Sequence, residues 1–213
     1  MRKNVGTRCN AFVSRPYRRA FTAFRYNVCI RRIQESPVPI LKEGELNIIS
    51  HSAEQTALLG VRLGTLLQAG DMICLSGDMG AGKTVFAGGI GRGWGAKQPI
   101  TSPTFNLVHE HTRDADKQVL YHLDCYRLKN ADEAERIGFD DILSGRGPVI
   151  LEWPEQIMSA LPRQHLWIEL RILEPNRRNL VIEAHGARYQ QLLNEYQGIG
   201  AQNTGSQSIP AKV

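Results

Sequence analysis

The chain has 213 residues, 42% of them apolar, enough for one domain with a substantial core. No apolar run approaches the ~20 residues a membrane-spanning helix needs, which argues against a helical membrane protein. Cys9, Cys29, Cys74 and Cys125 lie far apart without a C-x-x-C pair, which argues against a zinc or disulfide framework and fits a reducing compartment. The net charge of +5 is unevenly placed: residues 1–34 hold eight arginines, Lys3 and no acid, a local +9, so the rest of the chain carries −4. A reading of the whole chain as a basic nucleic-acid binder would rest on that leader alone.

Residues 1–38 show neither a helical nor a strand period and read as a disordered leader or translated upstream sequence. Their Arg-rich, acid-free composition also matches an organelle-targeting presequence. The predicted folded domain spans residues 39–197. Its first strand is Glu45–Ser50, followed by a helix that opens at Ser52, with Gln55 completing a capping-box pattern. Leu59, Val61, Leu63, Leu66 and Leu67 supply that helix with apolar faces, and Gly70 stops it. Met72–Ser76 is a short apolar run of the kind a buried strand uses.

A second helix is predicted over Lys83–Trp94. Gly88, Gly89 and Gly91 lie inside it, each costing roughly 0.8–1 kcal/mol against alanine, so its far end is expected to depend on tertiary packing. Strands follow at 104–111 and 118–124, a helix at 131–137, and a buried strand at Val149–Glu152. Leu166, Ile168, Leu170 and Ile172 alternate on one face, and Leu180 and Ile182 mark a partner strand. A last helix is placed at 186–196, and a polar tail at 198–213 is expected to be disordered. The pattern is α/β, with a parallel sheet core, flanking antiparallel strands and surrounding helices.

The chemistry is concentrated at residues 77–84, Gly-Asp-Met-Gly-Ala-Gly-Lys-Thr, a full match to G-x-x-x-x-G-K-[ST]. Glycines let successive backbone N–H groups turn inward around a phosphate, and the following helix presents its positive end to the anion. The nucleotide-binding candidates here are Gly80, Ala81, Gly82, Lys83, Thr84 and Val85, with Lys83 reaching the phosphates and Thr84 a magnesium ligand. Hydrolysis also needs an acid near the metal, at the end of another strand. Glu152 closes Pro148-Val149-Ile150-Leu151-Glu152 as an acid after a buried run, with Glu where Asp is usual, and Asp124 closes 119–124. Residues 101–104, with Ser102 and Thr104 around Pro103, form a candidate switch segment for the γ-phosphate, or an ordinary Ser/Thr turn. His122 and Cys125 read as packing residues, and Trp153 as a core residue, with stacking on an adenine ring as its alternative.

Together these segments resemble the TsaE (YjeE) family, the ATPase component of bacterial tRNA threonylcarbamoyladenosine synthesis. The matching pieces are G-D-M-G-A-G-K-T (77–84), S-P-T-F-N-L-V (102–108), Y-H-L-D-C-Y-R-L (121–128) and L-E-W-P (151–154) followed by Leu161 and Pro162, within residues 45–184. The resemblance implies a small P-loop NTPase fold in which Thr84 and Glu152 hold Mg²⁺ and Asp124 serves hydrolysis of ATP, with Lys83, Asp124 and Glu152 as the catalytic set. It places Ser102 and Thr104 in a switch loop, and Arg178 and the start of the first helix (52–56) near the nucleotide. It further implies a cytoplasmic Mg-dependent ATPase, slow alone and stimulated by TsaD-like and TsaB-like transferase subunits, meeting tRNA through them. The leader and the extra glycines at 88, 89 and 91 depart from the family pattern. A small P-loop kinase is the alternative, with Arg127 and Arg136 as candidate lid residues, although no compact lid insertion is evident. A GTPase is disfavoured because the chain has no N-K-x-D tetrapeptide.

Overall fold

A computed structural model of the chain describes residues 44–103 and 107–202, with side chains described to residue 198. The expectations for residues 1–38, for Thr104 and for 203–213 lie outside the described residues. In chain order the elements are β1 (Glu45–Ser50), α1 (Ala53–Gly64), β2 (Met72–Ser76), α2 (Lys83–Trp94), β3 (Val108–Thr112), β4 (Val119–Asp124), α3 (Ala131–Arg136), α4 (Phe139–Ile142), β5 (Val149–Glu152), a 3₁₀ helix (Pro154–Ala160), β6 (His165–Glu174), β7 (Arg177–His185) and α5 (Ala187–Gln202).

The strands form a single sheet in the order β1-β7-β6-β2-β5-β4-β3. β6, β2, β5 and β4 run parallel, while β7, β1 and β3 join through antiparallel ladders. The parallel core with antiparallel flanks is therefore as expected, with one refinement. The alternating strand at Leu166–Ile172 is not purely a flank: β6 pairs parallel with β2 on one side and antiparallel with β7 on the other.

Every residue of β2 and β5 is buried, which explains their unbroken apolar runs: alternate side chains feed the two opposite faces of the sheet. Ile73 and Leu75 join the core under α1, α2 and α5, whereas Met72 and Cys74 join that under α3, α4 and the 3₁₀ helix. Among the described residues no helix is long and apolar enough to cross a membrane.

Ser52 caps α1 by accepting from the Gln55 N–H at 3.1 Å, while the Gln55 side chain reaches back to accept from the His51 N–H at 2.7 Å. The helix stops earlier than the leucine pattern suggests: it ends at Gly64 with Thr65 as its cap, so Leu66 and Leu67 lie beyond it. The Thr65 hydroxyl donates to the Arg62 carbonyl at 2.8 Å, satisfying a terminal acceptor of the helix.

The glycines of α2 have a packing reason that their helix propensity hides. A Cβ added at Gly89 would lie 2.1 Å from the Ala57 carbonyl oxygen, and one at Gly60 of α1 would lie 2.3 Å from that of Phe86. α1 and α2 therefore meet backbone to backbone, and a helix expected to be weakly held at its far end has Gly89 and Gly93 in the interface. Gly91 likewise leaves room for Ile100, whose Cδ1 would be 2.5 Å from an added Cβ.

α5 runs to Gln202, past the expected end at residue 196 and into the stretch read as disordered tail. Extending an existing helix gains one hydrogen bond per residue fixed, which offsets a polar, glycine-containing sequence more easily than starting a helix would. Its first turns are anchored: Arg188 makes a two-pronged pair with buried Asp71 at 2.9 and 2.6 Å, and the Tyr189 hydroxyl accepts from the Met72 N–H at 2.6 Å.

Candidate functional site

The glycine loop leaves the end of β2 and enters α2, at the edge of the sheet where the parallel strands end. At Gly77 φ is +124°, and an added Cβ would sit 2.2 Å from the Leu170 carbonyl oxygen, so both conformation and space require glycine. Gly82, at the helix N-cap, takes φ +106°. These turns leave a cavity of about 370 Å³ lined by the loop on one side and by Asp124, Tyr126, Glu152 and Trp153 on the other.

Glu152 ends β5 beside Asp124 at the end of β4, and the two are paired in register. Its carboxylate is buried, at 3% exposure, and oriented from two directions. Thr84 donates its hydroxyl to it, with Oγ1 3.0 Å and 3.2 Å from the two carboxylate oxygens. His122 Nε2 lies 3.0 Å from Glu152 Oε1. A carboxylate so enclosed is costly unless its oxygens are matched by donors or a cation.

The Lys83 ammonium donates to the carbonyl oxygens of Gly77 at 2.6 Å and Asp78 at 3.0 Å, and lies 3.8 Å from the centroid of the Trp153 ring. Burial holds its pKa below the usual lysine value, opposed by the acids Glu152, Glu155, Asp124 and Asp78. Trp153 has φ +60°, the one positive φ outside glycine among the described residues, and its ring also packs on Tyr126 at 5.0 Å. A bulky residue held in this region carries backbone strain, a feature that concentrates at functional sites. Ser76 donates to Glu155 at the root of the same loop.

Asp124 is partly exposed. Its Oδ1 accepts from the Tyr126 N–H at 3.0 Å, and its Oδ2 accepts from the Ser102 hydroxyl at 3.3 Å. Of the predicted set, Gly80, Gly82, Lys83, Thr84, Val85, Ser102, Asp124 and Glu152 thus line one cavity. Ala81 and Arg178 do not line it: they border a smaller cavity of about 130 Å³, bounded also by Ser52 and Thr56, on the other side of the loop. Arg178 donates to the loop carbonyls of Ala81 at 3.0 Å and Gly80 at 3.4 Å, and to the Glu174, Pro175 and Arg177 carbonyls. Much of its donor capacity is engaged in tying the loop to the β6–β7 turn. The start of α1 borders the same smaller cavity through Ser52, Ala53 and Thr56.

Trp153 and His122, read as packing residues, do pack, Trp153 against the core under α3 and α4 and His122 fully buried, and each also meets the candidate site. Trp153 lines it, and His122 touches its buried acid. For His122 a signal was available: strand alternation puts it on the same face of β4 as Asp124, two residues on. Cys125, by contrast, is a core residue, its thiol pushed up to about 12 chiefly by burial.

A phosphate loop between a buried parallel strand and a helix, facing an acid at the end of the next strand, defines the class: a P-loop α/β domain. A family model described as "Threonylcarbamoyl adenosine biosynthesis protein TsaE" matches residues 50–180. The tRNA threonylcarbamoyladenosine biosynthesis protein TsaE of Treponema pallidum is 36% identical over 137 residues, covering 64% of this chain and 99% of the relative. That of Bacillus subtilis is 34% identical over 142 residues, covering 67% of this chain and 87% of the relative. The crystal structure of Bacillus subtilis YdiB superposes with a TM-score of 0.62 at 29% identity, covering 73% of this chain and 96% of that one. The chain belongs to the TsaE family.

Proposed function

We propose that this protein binds and hydrolyses ATP with magnesium, and that the cycle serves formation of threonylcarbamoyladenosine on tRNA in the cytoplasm. The observation that carries the nucleotide reading is the Thr84–Glu152 bond, which brings the last loop residue and a buried acid together beside a cavity lined by the glycine loop. An all-oxygen donor set of one hydroxyl and one carboxylate suits magnesium, which is commonly held by one or two protein groups and the phosphates of its nucleotide. Bound at Thr84 and Glu152, the metal supplies positive charge beside the phosphate oxygens. The loop amides and Lys83 bind and orient the β- and γ-phosphates. Asp124, whose carboxylate edges the same cavity, orients the attacking water. Ser102, hydrogen-bonded to Asp124, ties the switch segment to that acid.

The role in tRNA modification rests on family membership and on the names of the relatives. The protein then acts as a helper of TsaD-like and TsaB-like transferase subunits and meets tRNA through them. Hydrolysis is slow alone and faster with those partners, because a switch that changes shape is useful only to something bound to it. Reconstituted modification of tRNA, with the transferase subunits and with or without this protein, tests the reading. Multiple-turnover product is expected to depend on its addition. Equal product in its absence would refute the role.

A further inference from the structure

The Glu152 carboxylate is oriented from one side by a P-loop hydroxyl and from the other by a histidine that the proposed chemistry does not use. His122 is fully buried on β4, with Nε2 3.0 Å from Glu152 Oε1. A carboxylate that holds a metal is ionised and only accepts hydrogen bonds, so for Glu152 in that role Nε2 of His122 carries the proton and donates. That assignment leaves Nδ1 as an acceptor, and it is buried without a hydrogen-bond partner among the described residues. A ring held in place for packing alone gains nothing from burying an unmatched nitrogen, whereas the bond at Nε2 gives the ring a specific task.

We infer that His122 is a positioning residue for the metal site: it holds the Glu152 carboxylate so that one edge stays turned to Thr84. The inference rests on the proposed placement of magnesium at Thr84 and Glu152. His122 does not itself line the cavity; it acts through Glu152, which does, from β4, the strand hydrogen-bonded to β5. The same strand carries Asp124 two residues further on, so one strand supplies both the acid at the cavity edge and the support for the acid behind it. Groups that orient a ligand in this way typically change metal affinity about tenfold to a hundredfold when removed.

The test compares three variants in the full chain. His122→Leu fills the space without a donor. His122→Gln restores an N–H donor at about the reach of Nε2, and His122→Asn carries the same amide one methylene short. Each is titrated with Mn²⁺, followed by electron paramagnetic resonance in the presence of ATP, and with ATP alone in EDTA by calorimetry. Thermal unfolding checks that each variant is folded. The expected result is Mn²⁺ affinity lowered about tenfold or more in the Leu and Asn variants, restored to within about threefold in the Gln variant, with metal-free ATP affinity unchanged in all. Wild-type Mn²⁺ affinity in His122→Leu or His122→Asn would overturn the inference. So would an equal loss in Gln and Asn, which would mark a packing role. Should the Leu variant fail to fold, the Gln–Asn comparison decides alone. Loss of metal-free ATP binding in the wild type would instead overturn the nucleotide reading itself, a separable outcome.

Discussion

At the scale of single residues the site is built from a few donors aimed at one buried acid. Thr84 and Glu152 are hydrogen-bonded to each other, and in the proposed metal site the first would offer an uncharged oxygen and the second a full negative charge to a divalent cation. Thr84→Ala and Glu152→Gln are each expected to move the magnesium dependence of phosphate release to higher metal, on the order of tenfold, the scale of one lost charge-assisted contact. Unchanged magnesium titrations in both variants would transfer the metal role to Asp124. The difference between Lys83 and Arg178 is also visible only at this scale. Both are cations beside the loop, but Lys83 lines the larger cavity with Thr84 and Glu152, whereas Arg178 is bonded to five backbone carbonyls around the loop and the β6–β7 turn.

At the scale of elements, the α1–α2 contact shows why propensity alone misjudges a helix. The glycine content of α2 predicts weakness, but Gly89 lies against the Ala57 carbonyl so closely that any side chain must push the helices apart. Gly89→Ala is expected to lower stability by about 1–3 kcal/mol despite alanine's better helix propensity, because overpacking outweighs it. Urea unfolding checks this, and a stabilised variant would show that the two helices have room to separate. Strands were the more legible elements. β2 and β5 are short apolar runs bounded by turn and acidic residues, and their limits at Met72–Ser76 and Val149–Glu152 are those read from sequence. The end of α1 was less legible, since Leu66 and Leu67 continue the apolar pattern after the hydrogen-bonded helix has stopped. Strand alternation places His122 on the face of β4 that carries Asp124, but its contact with Glu152 was not legible from spacing. It depends on β4 lying next to β5, a pairing between segments almost thirty residues apart in the chain.

Across the whole molecule, burial of histidines ties stability to pH. Burial holds His111 below its ordinary value near 6.5, and the neighbouring His122 and His109 push in the same direction. Burial likewise lowers His165, opposed by the Pro162 carbonyl and aided by His185. Both groups favour the neutral form when folded. Their contribution is therefore complete above about pH 6.5 and is lost as pH falls through the lower folded values. The melting temperature is expected to drop on acidification below about pH 6.5, and His111→Gln should reduce that drop; an identical pH profile in the variant would contradict it. The sheet order, the loop and Glu152 together make a claim that one measurement reaches most directly, calorimetric titration of Mg·ATP into wild type and Lys83→Ala. A single saturable site is expected in the wild type and affinity weaker by about tenfold to a hundredfold in the variant, since no neighbour would replace that charge at the phosphates. Equal affinity in the two proteins would contradict it.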